Sequence, residues 1–281
     1  MRLFPGACAL LCAFPAVAGP IGYAQATGYY KKDSRPTLYQ PLNLLDGRDA
    51  TAWCTPTSDP LGEVIAFGFK GVTRIEELRI TTGNNFDEHT FSEFSRAKKL
   101  MIKAGKRSQT FTVLDQRGPQ TITFNPPFEG SRITVEVLDV YPSDDLDQPV
   151  CLTDVVFVSE GKPLNGSWLT TKLKYDKGHA PLLGSWYAGF DSAPDRFLAF
   201  YFDGTFRYAF EPFDITRTQP KVLEGTYEAS PTRLTLEIAG TKGKLNAKLL
   251  KEESKSKKGG FTLTLEGEIP EDLKGTFRSV P

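Results

Sequence analysis

Arg132-Ile133-Thr134-Val135-Glu136-Val137-Leu138-Asp139-Val140 sets the period of the chain. On an extended backbone Ile133, Val135 and Val137 fall on one side while Arg132, Thr134 and Glu136 fall on the other, the two-residue repeat of a half-buried strand. The same alternation recurs at Val64 to Phe69, Ile75 to Thr81, Lys98 to Lys103 and Phe111 to Asp115. Asn125-Pro126-Pro127 and Tyr141-Pro142-Ser143-Asp144-Asp145 read as turns between these runs. No segment sustains a 3.6-residue apolar period, so the first block is expected to be an antiparallel β-sandwich.

Residues 161–180 turn polar and lose the alternation, and read as a linker with a short strand at Trp168 to Leu173. Alternation then resumes at Phe197 to Phe202, Phe206 to Phe210, Gly225 to Glu228, Leu234 to Ile238, Leu245 to Leu249, Phe261 to Leu265 and Thr276 to Val280. Sequential strands on short turns predict a small up-and-down β-barrel over 181–281. A repeat supports it: Gly184-Ser185-Trp186, Gly204-Thr205-Phe206, Gly225-Thr226-Tyr227 and Gly275-Thr276-Phe277 each set a turn glycine, a β-favouring hydroxyl residue and an aromatic. These aromatics are expected in the core rather than in a ligand box. The fold class is therefore all-β, with two modules.

The 281 residues suit about two domains. With 34 basic and 34 acidic residues the chain carries no net charge, which removes the basic footprint of a nucleic-acid binder. Arg2 followed by the charge-free apolar run Leu3 to Val17 reads as a secretory leader over 1–26, with small residues for cleavage after 18 (Ala16-Val17-Ala18) or after 26 (Ala24-Gln25-Ala26). The run is too short for a membrane span, and no other stretch approaches one. The expected location is secreted or periplasmic. Cys8 and Cys12 leave with the leader, and Cys54 with Cys151 are expected to form a disulfide in an oxidising compartment.

Asn43-Leu44-Leu45-Asp46-Gly47-Arg48-Asp49-Ala50-Thr51-Ala52-Trp53 resembles the entry loop of discoidin, or coagulation factor 5/8 type C, domains. The order continues with Val64 to Phe69, Ile75-x-x-Leu78-x-Ile80, Gly83, Arg96 and Cys151-Leu152-Thr153-Asp154-Val155-Val156-Phe157. Thr51-Ala52-Trp53-Cys54 with Cys151 is similar to the glycan-binding variant named after NAD glycohydrolase toxins, where the domain targets and does not catalyse. The resemblance implies a galactose-binding-like jelly roll over 27–160. Phe94 and Asp154 depart from that family, which tends to place Asn and Glu there. The second block, opening at Gly184-x-Trp186, is similar to lipocalin-like barrels, although shorter.

Sugars are held by aromatic faces and by bidentate polar groups. The resemblance directs attention to loops at one end of the jelly roll, and the expected glycan-binding residues are Trp53, Asn84, Asn85, Asp87, His89, Arg96, Tyr141 and Asp144. Trp53 is also a strong core candidate. Discoidin relatives often hold a structural Ca²⁺ in the entry loop, and Asp46, Asp49, Thr51 and Asp154 are the expected oxygen ligands.

Catalysis finds little to work with. His89 and His179 are the only imidazoles, and no Gly-x-Ser-x-Gly, P-loop or His-Glu-x-x-His occurs. The expected function is a non-catalytic, exported protein that binds a glycan or cell-surface glycoconjugate. The rivals are an extracellular protein-interaction scaffold, and a carrier of small apolar ligands in the barrel.

Overall fold

The computed structural model describes residues 21–280 apart from 32–33, 36, 146, 165–181, 191–192, 217, 242 and 254–260. The expected leader up to residue 20, the strand expected at Trp168 to Leu173, and His179 lie outside the described residues. The first module holds β1 (Ile21–Ala26), β2 (Trp53–Cys54), β3 (Val64–Thr82), β4 (Ser95–Ala104), β5 (Arg107–Thr112), β6 (Gln120–Tyr141), β7 (Val150–Ser159) and β8 (Lys162–Pro163). A single helical turn, α1 (Glu88–Glu93), precedes β4.

Two runs expected as separate strands are one. Val64 to Phe69 and Ile75 to Thr81 both lie in β3, which breaks register between Gly68 and Thr73. Likewise Asn125-Pro126-Pro127 does not end a strand; it slips out of register inside β6, between Thr123 and Phe128. Proline lacks the ladder N–H, and a bulge is where a sheet tolerates it. These breaks let the halves of each long strand serve different partners. The first half of β3 pairs with β1 and β6, and its second half with β6 and β7. The sheet runs β1-β3-β6-β4-β7-β2 and doubles back through the β3–β7 pairing, which makes it jelly-roll-like. Inside lie Phe67, Phe69, Phe128, Phe157, Ile133, Val135 and Val137, all 2% exposed or less. The alternation of β6 is thus the alternation of core and surface.

The sheet begins at Ile21, six residues before the expected module boundary. All of Ile21–Ala26 is buried and pairs with Ile65 to Phe69 of β3.

The second module holds β9 (Gly184–Phe190), β10 (Ala193–Phe200), β11 (Thr205–Glu211), β12 (Lys221–Ala229), β13 (Arg233–Ile238), β14 (Leu245–Glu253), β15 (Phe261–Gly267) and β16 (Gly275–Ser279). Each pairs with the next, and β16 closes on β9 through Arg278–Tyr187 and Ser279–Trp186, giving a closed eight-stranded barrel. The four repeat aromatics Trp186, Phe206, Tyr227 and Phe277 are all buried in its core. Eight strands leave an interior that side chains can just fill. Here Trp186, Leu198, Phe200, Phe206, Tyr208, Leu236, Leu263 and Phe277 fill it. The turn Glu271–Leu273 stops one end, with Leu273 fully buried. Tyr208 donates to the Asp272 carbonyl at 2.8 Å, and Arg196 donates to the carbonyls of Asp272 and Lys274 at 3.1 and 2.8 Å.

The other end of the barrel meets the sandwich. Phe202 and Leu183 join the sandwich core, and Arg132 donates to the Val280 carbonyl at 3.2 Å.

Candidate functional site

The loops after β3, β5 and β6 share one end of the sandwich. Arg96 at the start of β4 pairs with Tyr141 at the end of β6. Arg132, which meets the barrel, lies nine residues back along β6, or about 30 Å at ~3.3 Å per residue. The loops and the barrel therefore occupy opposite ends.

Gly83 starts the first loop at φ +79°, and a Cβ there would come within 2.8 Å of the Phe91 ring and the Arg96 stem. Only glycine meets both demands. Asn85 then ties the loops together. Its backbone N–H donates to Thr153 Oγ1 at 2.9 Å, and its Nδ2 donates to the Thr82 carbonyl at 2.6 Å. Its Oδ1 accepts from Gly118 N–H at 3.0 Å, and its carbonyl accepts from Arg117 at 3.0 Å. Asp87 caps α1, accepting from the Thr90 N–H at 2.7 Å while Thr90 Oγ1 accepts from the Asp87 N–H at 3.0 Å. Thr90's N–H and hydroxyl, with weaker help from His89 and Arg117, hold the Asp87 carboxyl below the usual carboxylate range. It stays an anion flanked by two cationic or protonatable groups.

Several expected ligand residues are structural. Trp53 is fully buried, its Nε1 donating to the Gly28 carbonyl at 3.1 Å, so it is a core residue and not a sugar platform. Arg96 is 8% exposed; its Nε and Nη2 grip both oxygens of Asp115 at 2.9 Å, and its Nη1 donates to the Phe94 carbonyl. That fork holds β4 to the next loop rather than facing solvent. Asn84 and Asn85 are buried as well. Asp87, His89 and Asp144 are exposed, and Tyr141 is half-buried with its hydroxyl donating to the Val113 carbonyl at 3.1 Å. Asp144 N–H is held by the Ser92 carbonyl at 3.0 Å, which places the third loop beside α1.

Phe86, 61% exposed, is the aromatic face this end presents, with Leu114 at 62% on the second loop. Arg117 was not expected. Its guanidinium reaches the first loop from the second, and nothing local in Asp115-Gln116-Arg117-Gly118 signals that meeting. The arrangement offers the Phe86 ring face, the Asp87 carboxylate, the His89 imidazole and the Arg117 guanidinium on a frame fixed by buried hydrogen bonds.

In the entry loop Asp46 accepts from Thr51 Oγ1 at 2.8 Å and from the Arg48 N–H at 3.1 Å. Asn43 donates to the carbonyls of Leu38 and Ala52, while its Oδ1 and the Oδ1 of Asp154 are buried without a partner. Burial, with the nearby charges of Asp46 and Asp49, pushes the Asp154 carboxyl up to about 6. Among the described residues no three His, Cys, Asp or Glu side chains gather to hold a metal by themselves. Carboxylate, amide and carbonyl oxygens are the donor type that a hard cation such as Ca²⁺ takes. Nearby, Cys54 and Cys151 face each other across β2 and β7 and are bonded as a disulfide.

The sandwich is jelly-roll-like, with the loops after β3, β5 and β6 at one end. Residues 19–158 match the family described as the NAD glycohydrolase translocation F5/8 type C domain, and the first module is a domain of that kind. Among solved structures, the CBM32 of AlyQ in complex with 4,5-unsaturated mannuronic acid is 12% identical, over 50% of this chain and 98% of its own, with a TM-score of 0.37. The family 32 CBM from C. perfringens NanJ in complex with galactose is 18% identical, over 48% and 90%, with a TM-score of 0.34. A pectin-binding carbohydrate binding module is 16% identical, over 51% and 94%, with a TM-score of 0.37. No curated protein matches the chain.

Proposed function

We propose that this is an exported, non-catalytic protein that binds a glycan or cell-surface glycoconjugate through Phe86, Asp87, His89 and Arg117. The observation that carries the reading is the pairing of a solvent-facing ring with ionised and bidentate polar groups on a loop immobilised by buried Asn85. A ring face covers sugar C–H patches, and carboxylate and guanidinium take hydroxyl pairs. Pre-ordering of the loop lowers the entropy lost on binding. The resemblance to glycan-binding discoidin domains supplies the ligand class. The leader-like N-terminus and the disulfide support export.

The test is a glycan array probed with the full mature protein, in calcium and in EDTA, beside Phe86→Ala and Arg117→Ala. Binding to a sugar class that both variants weaken at least tenfold is expected. Silence on the array with capture of a polypeptide partner through the same loops would replace the glycan by a protein, and sugar binding indifferent to both variants would move the site.

The entry loop is proposed to hold Ca²⁺ with Asp46 and Asp154, with carbonyls completing the set. Differential scanning fluorimetry in CaCl₂ against EDTA is expected to show a rise in Tm that Asp154→Asn removes. Equal Tm values in the two buffers would discard the ion.

A further inference from the structure

We propose that export processing cuts the peptide bond between Ala18 and Gly19, so that β1 survives as the joint between the two modules. The proposal rests on the export reading and decides between the two small-residue sites the leader offers, Ala16-Val17-Ala18 and Ala24-Gln25-Ala26. In the step, water adds its hydroxyl to the Ala18 carbonyl carbon and its proton to the Gly19 nitrogen, and the C–N bond breaks. The endopeptidase is of the class that reads small residues one and three positions before the cut.

Cutting after Ala26 would discard a strand that both modules hold. On the sandwich side β1 pairs with Ile65 to Phe69 along the edge of β3, and the Tyr23 ring fills the space over Gly68, where any Cβ would overlap it. On the barrel side the Gly22 carbonyl accepts from the Phe202 N–H at 2.8 Å, and Gln25 Oε1 accepts from the Ser185 N–H at 3.0 Å. Gly184, at φ +131°, leaves room for that Gln25 side chain, which a Cβ would approach to 2.4 Å. Tyr23 and Tyr201 stack across the joint with centroids 6.2 Å apart. Tyr23 is 4% exposed, and burial pushes its hydroxyl up to about 12, so it stays protonated there. A chain starting at Thr27 would bare an apolar edge strand and orphan the Phe202 and Ser185 N–H groups, each a costly loss. Cutting after Ala18 leaves Gly19 and Pro20 ahead of Ile21, and the whole strand is kept.

The precursor is expressed in an exporting host, and the exported protein is measured by intact mass. The expected product starts at Gly19 and has 281 − 18 = 263 residues. A product starting at Thr27, with 281 − 26 = 255 residues, overturns the proposal while leaving export standing. An uncut precursor retained in the cell overturns both. In a second arm, chains starting at Gly19 and at Thr27 are each exported behind an unrelated leader. The Thr27 chain is expected to be absent, or to melt at least about 10 °C lower, the shift that losing several kcal/mol gives a chain of this size. Equal melting would overturn the role of β1 as a joint.

Discussion

The two modules solve one problem, burying both faces of an antiparallel sheet, with opposite use of polar groups. Leaving aside tyrosine and tryptophan, every buried polar or charged side chain among the described residues lies in the sandwich: Asn43, Asp46, Thr82, Asn84, Asn85, Arg96 and Thr153 among them. The barrel core is made of apolar and aromatic side chains. Pairing follows the same divide. Barrel strands pair with their sequence neighbours until β16 returns to β9, whereas β3 pairs with β6 and β7, and Cys54 is bonded to a residue 97 positions away. Buried polar networks fix one geometry, and apolar packing fixes mainly compactness. The sandwich thus holds loops in shape, and the barrel packs against its far end.

The disulfide is the largest lever on this contrast. Closing a loop of about 100 residues contributes up to ~4–5 kcal/mol through the entropy of the unfolded chain. Cys54→Ala with Cys151→Ala is expected to lower the sandwich's denaturation midpoint by that order, read at Trp53, while the transition read at Trp186 in the barrel stays near its original place. Equal displacement of both probes would make the modules one cooperative unit.

What the sequence made legible follows the same divide. The barrel was readable almost strand by strand, because its pairings are local and each Gly-Ser/Thr-aromatic turn points one ring inward. In the sandwich, alternation marked the strands but not their joins. The fusion of β3 across Lys70-Gly71 depends on partners more than 50 residues away, and β1 shares the small apolar composition of the leader beside it. Site residues were less legible still. Arg96 and Trp53 are of the residue types that hold sugars, yet Asp115 takes the guanidinium and the core takes the indole. Arg117 sits in an ordinary polar turn and acquires a role only where the second loop meets the first.

The next lever is Asp154. Its folded carboxyl titrates near 6, above the 3.8 of a free aspartate. The folded chain therefore holds that proton more tightly than the unfolded one, so this group's contribution to stability is full below about pH 4 and is lost as pH rises through about 6. At ~1.4 kcal/mol per pH unit the whole effect is at most about 3 kcal/mol. Urea melts in EDTA at pH 4.5 and 7.5 should show the fall, and Asp154→Asn should flatten it and stabilise the protein at pH 7.5. A slope unchanged in Asp154→Asn would place the proton elsewhere.

Asn85→Ala sharpens the contrast at the loops. It strips partners from the Thr82 carbonyl and the Gly118 N–H, which predicts a loss of about 1–3 kcal/mol. Ligand affinity should fall as well, although Asn85 is too buried to touch a ligand. Hydrogen exchange should quicken over 83–94 and 113–119 together. Acceleration confined to the first loop would mean that the two loops are not held as one.

The smallest effect is expected at an ion pair across the modules. Lys70 bonds Asp203 and lies 5.7 Å from the centre of the Tyr201 ring, with both charged side chains about one-third exposed. Burial pushes the Lys70 ammonium down from its usual range, so desolvation opposes part of what the pair contributes. Lys70→Gln should therefore change the melting free energy by no more than about 1 kcal/mol, and added salt should change it little. The backbone and ring contacts of β1 remain in that variant. A larger loss, and one that salt abolishes in the parent chain, would shift the strength of the joint from the strand to its charges, and the apolar character assigned to the barrel side of the contrast would then stop at its surface.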